Sequence, residues 1–397
     1  MDRNKSGPGD QFDTKVIDDY INSKMKSFKI PGLALSIVKN DQIIYLKGYG
    51  RSNGRGKPVT PQTPFYIASL YKSFIGLGIS QLIEAGKIDL DAPVKTYLRW
   101  FTLADPEAAR QITIRHLLSH SSGLSTRSGI IVLYTNPVSL EQLVRKQAKT
   151  RISQPVGSTY QYSNLNYFIL ALVIQTMSGM SYGQFIETNI FRPLDMRHSY
   201  TSQAEAKKNG LATGYTALFG FMIPCIEPER KASIHLMVSS EDMAHYMVAQ
   251  LNNGTYGGNS VISSRGMART HNSLMPGIHY GMGWGIKEDT ISHAGAMQNF
   301  RANVYMRNDD NGDKWGIAVL INSMDLIGSD LMGREVPYGD ISSDLAQILH
   351  GQQPINNYSP PKITVANIGK AAIIPILYLL AGISFLTSSL RSILRSK

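Results

Sequence analysis

Two hairpin patterns, one near each end of the chain, most constrain its fold. Residues 33–48 form an apolar run interrupted by Asn40-Asp41, a dipeptide that favours a tight turn between two strands. Residues 300–306 and 315–321 are a second pair of apolar runs, and a turn-forming stretch at 309–312 separates them. The strands at both ends are therefore predicted to form one antiparallel sheet.

The chain between these hairpins has the periodicity of helices. Apolar residues recur at helical spacing in residues 112–119, 140–148, 166–177 and 240–251. The hydrophobic share of 43% is enough for a large core. The sequence thus predicts an α+β protein, in which helices flank the antiparallel sheet and a mostly helical subdomain occupies the middle.

The net charge of +11 does not indicate a nucleic-acid partner. Five basic residues and no acidic ones lie from Gly351 onward, and the rest of the charge is spread without a basic helix or an Arg-rich aromatic repeat. Cys225 is the only cysteine, which excludes an internal disulfide and a cysteine-based zinc site. We expect no nucleic-acid binding and no catalytic role for Cys225.

The C-terminal region has the composition of a membrane anchor. Residues 371–390 carry no charge and are mainly apolar, and a helix of this length spans about 30 Å, the thickness of a bilayer core. Residues 351–370 contain polar residues and prolines that are typical of a linker. A buried C-terminal helix is the alternative, although a polar face is missing. The predicted organisation is a globular domain at 14–350, a linker and a transmembrane helix.

The two ends of the chain also bear on its location. The N-terminal residues include no apolar segment of the signal-peptide kind, so the chain is either cytosolic or lacks an export signal. Basic residues are slightly more numerous after residues 371–390 than before them, which favours a cytoplasmic tail. We therefore expect a cell-membrane protein with an extracytoplasmic body.

Ser69 and Lys72 form the candidate reactive pair. They stand at the start of an apolar-periodic segment, residues 70–85, which Gly86 ends. Residues three apart lie on one face of a helix, so Lys72 can reach the Ser69 oxygen and take its proton. The positive end of the helix also favours an oxyanion at this serine.

The same spacing occurs at Ser23…Lys26, Ser36…Lys39 and Ser359…Lys362. The first pair lies in a lysine-rich stretch that is typical of a solvated helix face. The second lies in a predicted strand, where residues three apart point to opposite faces, and two prolines separate the members of the third. Local context therefore selects Ser69.

Six segments of the chain, in order, resemble the serine β-lactamase and penicillin-binding protein superfamily, and specifically its class C-like branch. That branch includes class C β-lactamases, D-alanyl-D-alanine carboxypeptidases, D-aminopeptidases and esterases, and the resemblance covers roughly residues 14–324. The segments are FYIASLYK at 65–72, GKIDLDAPV at 86–94, IRHLLSHSSGL at 114–124, YQYSN at 160–164, FRPLDM at 191–196 and YGMGWG at 280–285. The resemblance implies a serine hydrolase with an acyl-serine intermediate and no metal or organic cofactor.

The family's Tyr-x-Asn element is identified as Tyr162 and Asn164. Similar triplets begin at Tyr20 and Tyr134, but only the one at Tyr162 lies within a matching segment. The resemblance implies that Tyr162 exchanges protons with Ser69 and the leaving group, provided that Lys72 lowers its proton affinity. It also implies that Asn164 orients Lys72 or binds a substrate amide.

A third element departs from the strict pattern, because His293-Ala294-Gly295 stands where class C β-lactamases carry Lys-Thr-Gly. A histidine is common here in esterase and peptidase relatives, so the change disfavours β-lactam hydrolysis more than acyl transfer. His293 can offer a donor to a substrate carboxylate or steady the catalytic tyrosine, and Gly295 lets substrate lie along the strand edge. By resemblance, the backbone N–H groups of Ser69 and Ala296 form the oxyanion hole.

His116 and His120 are four residues apart, a spacing that can bind a metal on a helix. No glutamate lies beside them and no third ligand is evident, so we expect a structural or loop-bracing role and no metal site.

Together these features predict a membrane-anchored serine peptidase or amidase that acts on D-amino-acid-containing or acyl-D-amino-acid substrates. An esterase and a weak class C-like β-lactamase are alternatives within the same chemistry. An alternative of another class is a penicillin-binding or peptidoglycan-binding protein that does not turn over.

Overall fold

The structure of the chain is a computed structural model that describes residues 13–134, 138–218, 221–225, 233–297, 299–324 and 338–354. The helices are α1 (Thr14–Phe28), α2 (Tyr71–Glu84), α3 (Val94–Tyr97), α4 (Pro106–Gln111), α5 (Ile114–Leu118), α6 (Thr126–Tyr134), α7 (Leu140–Arg145), α8 (Asn164–Ser178), α9 (Tyr182–Ile186), α10 (Gln203–Lys208), α11 (Ser240–Leu251), α12 (Ser264–His271) and α13 (Tyr338–Leu349). Short 3₁₀ turns lie at Ala68–Leu70 and Lys146–Lys149, and a π-helical turn at Glu187–Phe191.

The strands are β1 (Gly32–Lys39), β2 (Gln42–Gly50), β3 (Phe65–Tyr66), β4 (Gly214–Leu218), β5 (Phe221–Cys225), β6 (Met237–Val238), β7 (Thr255–Tyr256), β8 (Asn259–Ser260), β9 (Gly285–Lys287), β10 (Thr290–Met297), β11 (Phe300–Asn308), β12 (Lys314–Ile321) and β13 (Ser323–Met324).

The main sheet joins the two ends of the described chain. It has six antiparallel strands in the order β2-β1-β12-β11-β10-β9, with Leu33 opposite Ile321 where β1 pairs with β12. The turn between β1 and β2 places Asn40 at a φ of 56°, a left-handed conformation that asparagine tolerates better than most residues. The α+β architecture predicted from the two hairpin patterns is therefore confirmed.

The central strands are covered on both faces, which explains why β1 is apolar at most positions, with Ser36 as a buried exception. Leu33, Leu35 and Ile37 belong to a core that they share with α1 and α13. Ala34 and Val38 face the opposite way, into the larger core shared with the helical subdomain. Because side chains alternate along a strand, a strand buried on both faces needs an apolar residue at nearly every position.

Helix α8 is the centre of the helical subdomain. Its residues 165–174 are all buried, and α2, α5, α6, α7 and α9 pack around it. A helix that is apolar on every side is typical of a protein core. This packing fixes the N-terminus of α8, where Asn164 lies, against the helix that follows Ser69.

One expectation about the N-terminal lysines is wrong. Lys24 does not lie on a solvated face: it is buried, with its Nζ 3.5 Å from Oδ2 of the buried Asp344 on α13. Ser23 and Lys26 are exposed, as expected. The reason is that α1 packs against α13, a contact between distant parts of the chain that local composition does not reveal.

The predicted membrane anchor at 371–390 and the linker from residue 355 onward lie outside the described residues. Within the described ranges, no single helix has both the length and the hydropathy to cross a bilayer. Asn164–Ser178 and Tyr182–Phe191 meet that criterion only together, as a pair bent by 77°.

Glycines allow the segment at 280–285 to approach α2 closely. A Cβ atom on Gly76 would lie 2.0 Å from the carbonyl oxygen of Met282, and one on Gly283 would lie 2.4 Å from the carbonyl oxygen of Lys72. Gly283 also has a φ of 86°, which disfavours any residue with a side chain. The backbone of this segment thus packs directly on the helix that carries Lys72.

Gly76→Ala is expected to destabilise the protein. Alanine is the better helix former by about 1 kcal/mol, but forcing a methyl group into a close-packed contact costs about 1–3 kcal/mol and moves the 280–285 segment. Gly54→Ala is the control, because the nearest atom to its new Cβ is 3.9 Å away. Urea denaturation should show a lower free energy of unfolding for Gly76→Ala alone, and an unchanged or higher value contradicts the packing described here.

Candidate active site

Ser69 lies in the 3₁₀ turn at Ala68–Leu70, immediately before α2. Ala68 has a φ of 46°, a left-handed conformation that is uncommon for a residue other than glycine. Residues 63–68 and 70–80 are buried, whereas Ser69 is partly exposed. The turn therefore presents this one side chain to solvent from a rigid, buried segment.

Lys72 is fully buried in the first turn of α2 and contacts three oxygen atoms. Its Nζ lies 3.1 Å from Ser69 Oγ, 2.8 Å from Asn164 Oδ1 and 3.2 Å from Tyr71 Oη. The contacts with Ser69 and Asn164 agree with the predictions from sequence, whereas the contact with Tyr71 was not predicted. Adjacent residues on a helix do not normally face each other, so spacing gave no signal for that contact.

The surroundings of Lys72 favour the neutral amine. Burial lowers the pKa of Lys72 well below the ordinary value of 10.5. A neutral amine has two N–H donors, which match the oxygens of Asn164 and Tyr71, and one lone pair, which can accept the Ser69 proton. This arrangement satisfies the buried amine and leaves it ready to act as a base.

Tyr162 lies just before α8, with its ring centroid 4.8 Å from Lys72 Nζ. Its hydroxyl shares a hydrogen bond with the Ser69 side chain, but burial is the larger influence and raises the pKa of Tyr162 above its ordinary value. The expectation that Lys72 lowers the proton affinity of Tyr162 is therefore wrong, because a neutral amine supplies no positive charge. Lys72 is the better base, and the protonated phenol is suited to donate.

His293 is buried on β10 and its ring nitrogens have distinct roles. Nδ1 lies 2.6 Å from the carbonyl oxygen of Gly283, which only accepts, so Nδ1 carries the proton and Nε2 has the lone pair. Burial lowers the pKa of His293 to about 3, so the ring is neutral at physiological pH. The expected donor to a substrate carboxylate is thus not available, because the only N–H is already bonded to Gly283.

Gly295 and Ala296 lie where β10 meets the turn that bears Ser69. A Cβ atom on Gly295 would be 2.2 Å from the carbonyl oxygen of Ile67, so glycine permits this contact. Strand β9 pairs with β10 only from Thr290 to Ser292, and beyond that point the Ser69 turn packs against β10. The structure brings Ala296 to the same region as Ser69, and the oxyanion hole formed by their N–H groups stays a prediction.

A cleft of about 540 Å³ opens beside Tyr162 and His293. Its lining consists of Tyr160, Tyr162, Gly277, Ile278, His279, Tyr280, Gly285, Ser292, His293 and Ala294. None of these described lining residues is Asp, Glu, Lys or Arg. The cleft therefore offers apolar surface and hydrogen-bonding groups rather than ion pairs to a substrate.

His116 and His120 make separate structural contacts. His116 Nδ1 accepts the Thr113 backbone N–H at 3.2 Å and caps α5, while the His120 ring is buried beside Tyr162. In the part of the chain that the structure describes, no group of three or more His, Cys, Asp or Glu side chains is arranged to hold a metal.

The rival serine–lysine pairs lie away from this site. Ser36 and Lys39 are on β1, and the Lys39 ammonium pairs with Asp313 at 2.9 Å. Ser23 and Lys26 are on the exposed face of α1. The pair at Ser359 lies outside the described residues.

Comparison with known proteins agrees with this geometry. The profile of the beta-lactamase family matches residues 17–336. The chain belongs to the beta-lactamase family. This membership confirms the resemblance inferred from six short segments, and members of this family are generally serine hydrolases.

Individual relatives extend the comparison. Protein flp of Staphylococcus aureus (strain MW2) is 30% identical over 320 residues, which are 77% of this chain and 62% of that protein. The unguisins hydrolase ungD' of Aspergillus campestris is 26% identical over 362 residues, 85% of this chain and 66% of that protein. The octameric penicillin-binding protein homologue from Pyrococcus abyssi superposes with a TM-score of 0.72 at 27% identity, over 86% of this chain and 78% of that one. The chain thus spans less than two thirds of the length of flp.

Lys72→Met is expected to change how stability depends on pH. Because the pKa of Lys72 is lowered in the folded protein, the unfolded chain binds more protons there between the lowered value and about 10.5. In that window the free energy of unfolding of wild type should rise with pH relative to Lys72→Met, by up to about 1.4 kcal/mol per pH unit. Parallel stability curves for the two proteins contradict a lowered pKa at Lys72.

Gly295→Ala is expected to reduce turnover. Its new methyl group would meet the Ile67 carbonyl at 2.2 Å and push β10 away from the Ser69 turn. Misplacement of reacting groups by about 1 Å can cost about a hundredfold in rate. Steady-state kinetics should show a fall in kcat of that order, with Gly54→Ala as the control, whereas full activity argues against this contact.

Proposed function

We propose that the chain is a serine acyl hydrolase that acts through an ester on Ser69. The observation that carries this proposal is the buried Lys72 amine, 3.1 Å from Ser69 Oγ, with a lowered pKa and two oxygens that match its N–H groups. A serine is a weak nucleophile unless a base takes its proton, and a neutral amine at this distance can do so.

In the acylation step, Ser69 Oγ bonds to the substrate carbonyl carbon while its proton passes to Lys72 Nζ. The bond from that carbon to the leaving group then breaks, and the leaving group takes a proton from the Tyr162 phenol, which regains one from the Lys72 ammonium. The backbone N–H groups of Ser69 and Ala296 hold the oxyanion. Water next attacks the acyl-serine, gives a proton to Lys72 and releases Ser69, which recovers its proton.

The first candidate substrates are amides that contain D-amino acids, either peptides or acyl-D-amino acids. Support comes from the resemblance to D-alanyl-D-alanine carboxypeptidases and D-aminopeptidases, and a relative of the chain is named as a hydrolase. In this reading Asn164 and Gly295 orient the substrate along β10.

The second candidate is an esterase, and the absence of Lys and Arg from the described lining of the cleft favours it. No Lys or Arg is present among the described lining residues, and His293 is neutral with its N–H already bonded. A substrate that is uncharged next to its scissile bond needs no cation for binding. A substrate with a free carboxylate there would find no ion-pair partner among Lys and Arg. The same feature disfavours efficient β-lactam hydrolysis.

We also propose that the protein is anchored in the cell membrane through residues 371–390, with its hydrolase domain at 14–350 outside the cytoplasm. The support is the uncharged apolar stretch of twenty residues, the proline-containing linker before it and the excess of basic residues after it.

The test is a substrate screen on wild type, Ser69→Ala and Ser23→Ala. The panel contains a D-aminoacyl amide, an acyl-D-amino acid, a short-chain ester and a chromogenic cephalosporin. Ser69→Ala should lower every activity by at least about a thousandfold while the protein stays folded, because the nucleophile is lost. Ser23→Ala keeps full activity, since Ser23 has the same spacing to Lys26 but lies on the exposed face of α1.

Two results decide against the proposal. If Ser69→Ala retains activity, Ser69 is not the nucleophile. If wild type gives one stoichiometric burst of acylation and no steady-state turnover, the chain is a penicillin-binding protein that does not turn over. A fluorophosphonate probe followed by peptide mass spectrometry identifies the nucleophilic residue in either case.

A further inference from the structure

His120 holds the backbone on both sides of Tyr162. Its carbonyl oxygen accepts the Gln161 N–H at 2.7 Å, and its ring Nδ1 accepts the Ser163 N–H at 3.1 Å. Tyr162 is the residue between these two bonds. Its backbone therefore cannot shift without breaking a hydrogen bond to His120.

A neighbouring side chain fixes the position of the ring proton. Asn166 Oδ1 accepts from the Ser122 hydroxyl at 2.6 Å, so the Asn166 amide nitrogen is the group that lies 3.0 Å from His120 Nδ1. Both partners of Nδ1 are then donors, and Nδ1 must carry the lone pair. The proton of neutral His120 lies on Nε2, which is buried without a hydrogen-bond partner in the described structure.

The ring itself packs against the aromatic wall of the site. Its centroid is 4.5 Å from that of Tyr162, 5.0 Å from that of Tyr280 and 5.1 Å from that of Tyr167. His120 is fully buried and has a φ of 57°, a conformation that glycine or asparagine adopts more easily.

We propose that His120 is a positioning residue for Tyr162 and Asn164, and that it acts as a permanent hydrogen-bond acceptor at Nδ1. Ser163 links the two functional residues, and its N–H is bound by the ring. Protonation of the ring would place an N–H at Nδ1, facing the N–H groups of Ser163 and Asn166, and would remove the acceptor. The hydrogen bond from Ser163 to His120, called the brace below, therefore requires the neutral tautomer with its proton on Nε2. The proposal rests on the acyl-transfer function proposed above.

His120→Asn and His120→Gln form a matched pair of variants. The amide oxygen of asparagine can take the place of Nδ1, whereas the longer glutamine side chain puts its amide near the position of Nε2. His116→Gln is the control, because His116 lies in α5, just before the turn that holds His120, and its ring bonds the Thr113 backbone at the N-terminus of that helix.

In steady-state kinetics, with active sites counted by fluorophosphonate labelling, kcat of His120→Gln should be at least about tenfold below that of His120→Asn. The KM values of the two variants should differ by less than about threefold, because both lose the same ring packing against Tyr162 and Tyr280 and only the glutamine variant loses the acceptor for Ser163. His116→Gln should keep kcat per labelled site at the wild-type level, because a glutamine at this position can still accept the Thr113 backbone N–H. Equal kcat values for the asparagine and glutamine variants overturn the proposal.

A second measurement does not depend on activity. Amide hydrogen exchange at Ser163 should be slow in wild type and His120→Asn and fast in His120→Gln, since only the last lacks an acceptor for that N–H. Slow exchange in all three proteins shows that Nδ1 does not hold the backbone and overturns the proposal. If wild type and Ser69→Ala are both inactive on every substrate, the proposed function fails, and the positioning role fails with it. The hydrogen-exchange result still shows whether His120 holds the Ser163 N–H.

Discussion

The burial of one lysine amine organises this active site. Lys72 has no exposed surface, and an ammonium ion in such a place would carry a large desolvation cost. The protein meets this constraint by favouring the neutral amine and by supplying two oxygen acceptors from different elements, Tyr71 on α2 and Asn164 on α8. The remaining lone pair faces the Ser69 oxygen. The neutral state that lowers the cost of burying the amine also leaves it with a lone pair, so it can act as a base.

The rest of the fold keeps that amine dry and in place. Gly76 and Gly283 allow the 280–285 segment to lie against α2, and Gly295 allows β10 to lie against the Ser69 turn. Helix α8, buried along most of its length, fixes Asn164. Three separate parts of the chain thus converge around the Ser69 turn and the start of α2, and glycines set the distance in two of these contacts.

Much of this arrangement could be predicted from sequence, because local rules govern it. Helical spacing related Ser69 to Lys72, the order of segments selected Tyr162 among three tyrosine triplets, and the two hairpins indicated the sheet. Other features depend on contacts between distant residues, which local patterns do not contain. The burial of Lys24 against Asp344, the hydrogen bond from His293 to Gly283 and the brace from His120 to Ser163 are of this kind. The proton affinity of Tyr162 was misjudged for the same reason, since it follows from burial and from the neutrality of a neighbour.

The most direct test of the account is the titration of Lys72 itself. In protein labelled with ¹³C at the lysine Cε, the Lys72 signal is the one missing from the spectrum of Lys72→Met. The account predicts that this signal titrates with a pKa well below the ordinary lysine value of about 10.5, while exposed lysines titrate near it. A Lys72 signal that titrates at or above that value contradicts the account, because the amine would then be charged at neutral pH and unable to take the proton of Ser69.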